Sequence, residues 1–206
     1  AISIDGKPYY FGDQAIMATG WEKIDASWYF FDALGVNARD VWVYLGGAWY
    51  HFDEDGVMQT AWFKDGNTWY YANGSGAMQT GWLAWGDTWY YFDADGSMAV
   101  SGWRNVGGTW YYFDADGIMQ TGWFKDGETW YYANGSGAML TGWQFLGGAW
   151  FYLGANGAMV SSDWSYINGA WYYFDENGYM LTGWLDLGTE EDRKSTRLNS
   201  SHGKLS

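Results

Sequence analysis

Tryptophan has the most informative spacing in this chain. One series recurs at positions 21, 42, 62, 82, 103, 123, 143, 164 and 184, in steps of 20 or 21. In every case but the last a second tryptophan follows seven residues later, at 28, 49, 69, 89, 110, 130, 150 and 171. The face of an indole attracts a cation, and two rings held at a fixed offset are the start of a cation cage. Other chemistries are poorly supplied. There is no cysteine, and the two histidines, His51 and His202, stand alone. The acids recur identically at turn after turn, whereas glycoside hydrolysis needs two non-equivalent carboxyl groups in one cleft. Asp93-Ala94-Asp95-Gly96 resembles the start of a calcium loop, but the bidentate glutamate that should close one is missing.

Charge points the same way as the rings. The net charge is −14, and residues 1–188 hold 6 basic against 21 acidic side chains. Such a surface repels nucleic-acid phosphate and anionic lipid and concentrates cations around itself. No apolar run approaches the roughly 20 residues of a membrane-spanning helix. A chain that opens Ala-Ile, without methionine or a basic-then-apolar leader, reads as an excised piece.

The elements that must position these rings follow from the repeat. Residues 62–82 recur almost verbatim at 123–143, and the 21-residue step falls in every third unit. This predicts an all-β solenoid of stacked hairpins, about 20 residues each, with about three hairpins per superhelical turn. In the unit of Trp62, Asp65-Gly66 reads as a two-residue hairpin turn that sets Trp62 directly opposite Trp69, and Asp126-Gly127 does the same for Trp123 and Trp130. Units with Gly-Gly (107–108, 147–148) or Asn-Gly (168–169) admit a turn shifted by one residue. A second glycine turn joins successive hairpins, as at 73–76, 93–96, 114–117 and 134–137. All eight methionines fall nine residues past the second tryptophan or its equivalent; the unit of Trp21 instead has Asn37 and Arg39 around that slot. Three segments result: a truncated repeat at 1–20, with Pro8 where the second tryptophan belongs, the repeat array at 21–188, and a tail at 189–206. The tail, without aromatics, is expected to be disordered and non-native.

The pattern Thr-Gly-Trp, six residues, Trp-Tyr-Tyr-Phe-Asp, and methionine nine residues past that second Trp resembles the choline-binding (cell-wall-binding) repeats of Gram-positive bacterial and phage surface proteins. The likeness covers residues 5–188. It implies a left-handed superhelix, secretion and cell-wall attachment through choline on teichoic and lipoteichoic acids, no cofactor, and any catalytic domain outside this chain. It also implies sites built from two aromatics of one hairpin, one of the next, and often a methionine.

Strand parity suggests which ring closes each cage. Trp69 and Tyr70 are adjacent and point to opposite faces, so the closing ring should be the first Tyr of the following unit. The expected cages are Trp21, Trp28 and Tyr50; Trp42, Trp49 and Tyr70; Trp62, Trp69 and Tyr90; and Trp82, Trp89 and Tyr111. They continue with Trp103, Trp110 and Tyr131; Trp123, Trp130 and Phe151; and Trp143, Trp150 and Tyr172. Met58, Met78, Met98, Met119, Met139 and Met159 are expected as thioether walls. Trp164 and Trp171 have no following hairpin, and a second copy of the chain, docked through terminal repeats, would have to complete them. A trimethylammonium group has no hydrogen-bond donor, and each ring face offers it about 0.5–2 kcal/mol. Single sites are then weak, near millimolar, and a polymer bearing many cholines gains through avidity.

Burial between repeats is the competing account of so many rings. It suits the second Tyr and the residue after it (Tyr112, Phe113, Leu153, Phe174), but not why both positions are Trp in eight units. A glucan-binding repeat module that stacks sugars on the rings is the alternative function, and a structural spacer a third; the paired Trp and regular Met argue against the first. The sites should also be unequal. The cage of Trp21 is expected to lack a methionine and to face Arg39, whereas that of Trp62 has Met78 and Asp65 nearby and should fill first.

Overall fold

The chain alternates five-residue strands with two-residue turns, and each pair of consecutive strands closes on itself as an antiparallel hairpin. The computed structural model describes residues 2–12, 14–184 and 197–198. It divides into two units, residues 1–100 and 101–206. The first holds Gly20–Ile24 with Ser27–Phe31, Val41–Leu45 with Ala48–Phe52, Ala61–Asp65 with Thr68–Ala72, and Gly81–Trp85 with Thr88–Phe92. The second holds Gly102–Val106 with Thr109–Phe113, Gly122–Asp126 with Thr129–Ala133, Gly142–Leu146 with Ala149–Leu153, and Asp163–Ile167 with Ala170–Phe174. The truncated first repeat pairs Ile2–Ile4 with Lys7–Tyr9. At the other end Gly183–Trp184 pairs with Arg197–Leu198; the rest of the tail expected to be disordered lies outside the described residues.

The hairpin register differs from the sequence expectation. Trp62 lies opposite Tyr71, and Trp69 opposite Lys64, so the turn is Gly66-Asn67 rather than Asp65-Gly66. Likewise Trp123 lies opposite Tyr132 across Gly127-Glu128. The reason is local. Gly66 alone has positive φ, at 58°, which is the type II′ arrangement with glycine first, and this leaves Asp65 extended as the last residue of its strand. The Gly107-Gly108, Gly147-Gly148 and Asn168-Gly169 turns have positive φ at both positions, as type I′ requires, and keep the same register. The displacement amounts to two residues, so facing parity survives and both tryptophans still share a face.

The residue just before the first tryptophan is left-handed in the 20-residue units, with φ of 73° at Gly81 and 70° at Gly122, which explains the Thr-Gly-Trp motif. Ala61 holds the same conformation at 58°. In the 21-residue units the left-handed residue moves one place earlier, to Asp40, Ser101 and Ser162. Their amides donate to the carbonyls of Asp53, Asp114 and Asp175 in the next connecting turn. The extra residue of every third unit is absorbed there. Most connecting turns are tied by their first side chain: Asp53 Oδ1 accepts from the amides of Asp55 and Val57, and Asn73 Oδ1 from those of Ser75 and Ala77; in the turn that opens with Gly154, Asn156 Oδ1 accepts from the Ala158 amide instead. The turn acids thus act as acceptors for their own backbone.

The core is a row of side chains at the end of each second strand. Phe52, Phe92, Phe113, Leu153 and Phe174 have no exposed surface, and Phe31 almost none. In the two near-identical units this position is Ala72 or Ala133, and the missing volume is supplied by Phe63 or Phe124 from the paired strand. Trp42 packs on Phe63 at 5.7 Å between ring centroids, as Trp62 packs on Phe92 at 5.6 Å. The expectation of a core role holds for Phe113, Leu153 and Phe174. Tyr112 is only half-buried, because it lies directly opposite Trp103 on the face that carries the tryptophans.

Candidate functional site

Every second tryptophan but the half-buried Trp150 stays open to solvent. Trp28, Trp49, Trp69, Trp89, Trp110 and Trp130 are between 39% and 47% exposed. That exposure separates them from the phenylalanine row and argues against burial as their role. The first tryptophan lies deeper and meets the second edge to face, as in Trp62 and Trp69 at 6.4 Å and 88°.

In six of the seven expected groups a ring of the next hairpin packs on the first tryptophan. Trp21 meets Tyr50 at 4.9 Å, Trp42 meets Tyr70, Trp62 meets Tyr90, Trp103 meets Tyr131 and Trp123 meets Phe151 at the same distance, and Trp143 meets Tyr172 at 4.8 Å. Three of these groups line open cavities: Trp21, Trp28 and Tyr50 one of 350 Å³, Trp103, Trp110 and Tyr131 one of 350 Å³, and Trp123, Trp130 and Phe151 one of 280 Å³. Trp82 and Trp89 meet at 6.2 Å. Their expected partner Tyr111 belongs to the second unit of the chain. Trp164 packs on Tyr173 within its own hairpin, and Trp171 is 58% exposed.

Methionine lines all three of these cavities, but from a different unit than expected. Met58, not a residue of the Trp21 hairpin, lines the Trp21 cavity; Met139 and Met159 line those of Trp103 and Trp123. The cause is a backbone bond: the Met58 amide donates to the Trp28 carbonyl, and those of Met78, Met98, Met139, Met159 and Met180 donate to Trp49, Trp69, Trp110, Trp130 and Trp150. The Trp21 cage therefore has its methionine, Met78 belongs with Trp49, and Met98 belongs with Trp69. The slot without methionine serves the truncated repeat, where the Asn37 amide donates to the Pro8 carbonyl. Arg39 lies in that separate cavity, with Pro8, Tyr29, Asn37 and Asp55, and does not face the Trp21 cage. The expected reason for a weak Trp21 site is thereby removed.

Several neighbours of the cages have no short-range signal in the sequence. The cavity mouths are formed by connecting turns two hairpins further on: Ser75 at the Trp21 cage, Asn156 at the Trp103 cage, and Glu176, Asn177 and Tyr179 at the Trp123 cage. The glycine after Ser75 gives the methionine room, since a Cβ on Gly76 would overlap Met58 Sδ. Asp65, expected beside Trp62, instead accepts from Nε1 of Trp42 at 2.8 Å, and Asp126 accepts from Nε1 of Trp103 at 2.9 Å. Burial and then the charges of Asp65 and Asp95 raise the Tyr70 hydroxyl above its usual pKa. The Trp42 cage thus has a neutral closing ring flanked by carboxylates, a favourable setting for a cation.

Hairpin repeats with paired tryptophans and a closing ring define a class of aromatic-cage repeat proteins. The family description "Choline-binding repeat" matches residues 1–42, 38–80, 65–103, 100–141 and 161–187, and "Putative cell wall binding repeat" matches residues 141–159. The chain belongs to the choline-binding repeat family. It is similar to CbpJ of Streptococcus pneumoniae, at 38% identity and a TM-score of 0.73, covering 84% of this chain and 61% of that one. Choline binding protein F of the same organism is 36% identical, with a TM-score of 0.73 and the same coverage of 84% and 61%. The choline-binding domain of CbpL, also of Streptococcus pneumoniae, is 29% identical with a TM-score of 0.63, covering 82% of this chain and 90% of that domain. The chain thus spans about 61% of the length of CbpJ and of choline binding protein F. No curated protein matches the chain.

Proposed function

We propose that this chain is a cell-wall-binding module that holds the choline groups of teichoic and lipoteichoic acids, one trimethylammonium group per cage. The supporting observation is the recurring set of two tryptophans, the closing ring of the next hairpin and a methionine, open to solvent on one side. The sites are Trp21, Trp28, Tyr50 and Met58; Trp42, Trp49, Tyr70 and Met78; and Trp62, Trp69, Tyr90 and Met98. Trp103, Trp110, Tyr131 and Met139, then Trp123, Trp130, Phe151 and Met159, then Trp143, Trp150 and Tyr172 complete the series. Rings suit this ligand because the quaternary nitrogen offers no hydrogen bond, so a carboxylate alone holds it poorly while a π face holds it without loss. The module acts by binding, outside the cell, on a polymer that engages several weak sites at once.

Retention on a quaternary-amine resin with elution by free choline is the test. The intact chain should be retained and should elute with choline but not dextran. In salt high enough to suppress anion exchange by the net charge of −14, a chain with the second tryptophan of every cage replaced by alanine should flow through; its retention there would refute the cages, and elution by dextran would favour the glucan reading.

A further inference from the structure

The eight full hairpins differ at one position that faces the second tryptophan across the hairpin. The residue directly opposite each second tryptophan, five positions before it, is Lys23, Tyr44, Lys64, Ala84, Asn105, Lys125, Phe145 or Tyr166. Where it is lysine, the ammonium lies over the indole: Lys23 at 5.8 Å from the Trp28 ring centroid, Lys64 at 4.9 Å from that of Trp69, and Lys125 at 5.3 Å from that of Trp130. Where it is aromatic, a ring takes the place of the charge: Tyr44 on Trp49, Phe145 on Trp150 and Tyr166 on Trp171, each at 5.2 Å. The cavities of the Trp28 and Trp130 cages are not lined by Lys23 or Lys125, so the indole stands between the ammonium and the space for a ligand.

We infer that this backing residue grades the cages: lysine behind the second tryptophan weakens the site for a cation, and an aromatic ring leaves it strong. This rests on the cation-cage reading above. A ligand cation within about 6 Å of the indole centroid is only about 10 Å from the lysine nitrogen on the far face, and the two repel across a partly desolvated ring. The lysine also draws the same π electrons the ligand needs. At that separation the penalty corresponds to about a two- to tenfold loss of affinity. It is largest at Lys64, which stands closest to its ring. Lys125 is partly neutralised by Glu128, 3.7 Å away. The Trp42 cage is the opposite case, backed by Tyr44 and bordered by Asp65. The order is therefore the Trp42 cage ahead of the Trp62 cage, the reverse of what a methionine-and-acid count would give Trp62.

The full chain labelled with 5-fluorotryptophan gives one fluorine resonance per indole, assignable by single Trp→Phe variants, so choline titration reads a midpoint at each cage. At low salt the Trp69 midpoint should lie two- to tenfold above that of Trp49. Lys64→Gln should lower the Trp69 midpoint, Tyr44→Lys should raise that of Trp49, and Lys64→Arg should leave the wild-type value. Raising salt should narrow the gap, since the charges are exposed. Saturable binding with midpoints unmoved by Lys64→Gln and Tyr44→Lys would overturn the grading and leave the cage reading intact. Lys64→Arg behaving like Lys64→Gln would also overturn it, by showing that shape rather than charge sets the order. No choline-dependent shift at any indole would overturn the cage reading itself.

Discussion

His51 shows how one substitution alters a repeat. It occupies the position of the second tyrosine, 5% exposed, stacked on Phe63 at 5.1 Å and 4.9 Å from Trp42. Burial lowers its pKa from the ordinary 6.5 and outweighs the opposing pull of Asp65, Asp40 and Asp53. The unfolded chain then takes up a proton that the folded chain refuses, so stability is full above pH 6.5 and falls as pH drops below it. Urea midpoints should decline as pH falls below 6.5, and His51→Tyr, which restores the residue found in other repeats, should flatten that decline. Gly76 tests the methionine wall in a similar way. Its φ is 83° and Met58 fills the space beside it, so Gly76→Ala should cost about 1–3 kcal/mol in urea unfolding and displace Met58 from the Trp28 cage. A fluorine titration at Trp28 checks the displacement, with a higher choline midpoint expected.

At the scale of the hairpin, the recurring element is a left-handed residue at or just before the start of the first strand and a turn with glycine, asparagine or, at Asp25, aspartate at positive φ. Ala61 occupies the left-handed position at φ 58°, where Gly81, Gly122 and Gly142 stand in equivalent units. Ala61→Gly should stabilise the chain by about 0.5–1 kcal/mol, the relief of left-handed strain less the added freedom of the unfolded chain. Thermal unfolding measures it, and a loss of stability would show that the alanine methyl contributes packing that outweighs the strain. The paired change of Phe63 with Ala72, and of Phe124 with Ala133, shows that a hairpin conserves core volume rather than residue type at one place.

At the scale of the whole chain, function depends on how many weak cages act together. Replacing Trp28, Trp69 and Trp130 by alanine one at a time should lower retention on a choline polymer modestly. Replacing all three should lower it far more than their product, as expected when avidity contributes factors of about 10² to 10⁴. Equal proportional losses at each step would show that the sites act independently. The net charge of −14 adds a general attraction for a cation-bearing polymer that salt should weaken.

Periodicity alone determined the hairpin repeat, the same-face pairing of the two tryptophans and the closing ring from the next unit, because side-chain parity along a strand survives any error of two residues. It also marked the two classes of unit, of 20 and 21 residues. Tertiary structure decided the rest. Gly66-Asn67 won over Asp65-Gly66 because the turn needs only one left-handed residue and Asp65 bonds the Trp42 indole. Methionine went to the preceding cage because its amide bonds a carbonyl there. Ser75, Asn156 and Glu176 reach their cavities from two hairpins away, a contact made by stacking and not by any neighbour in sequence.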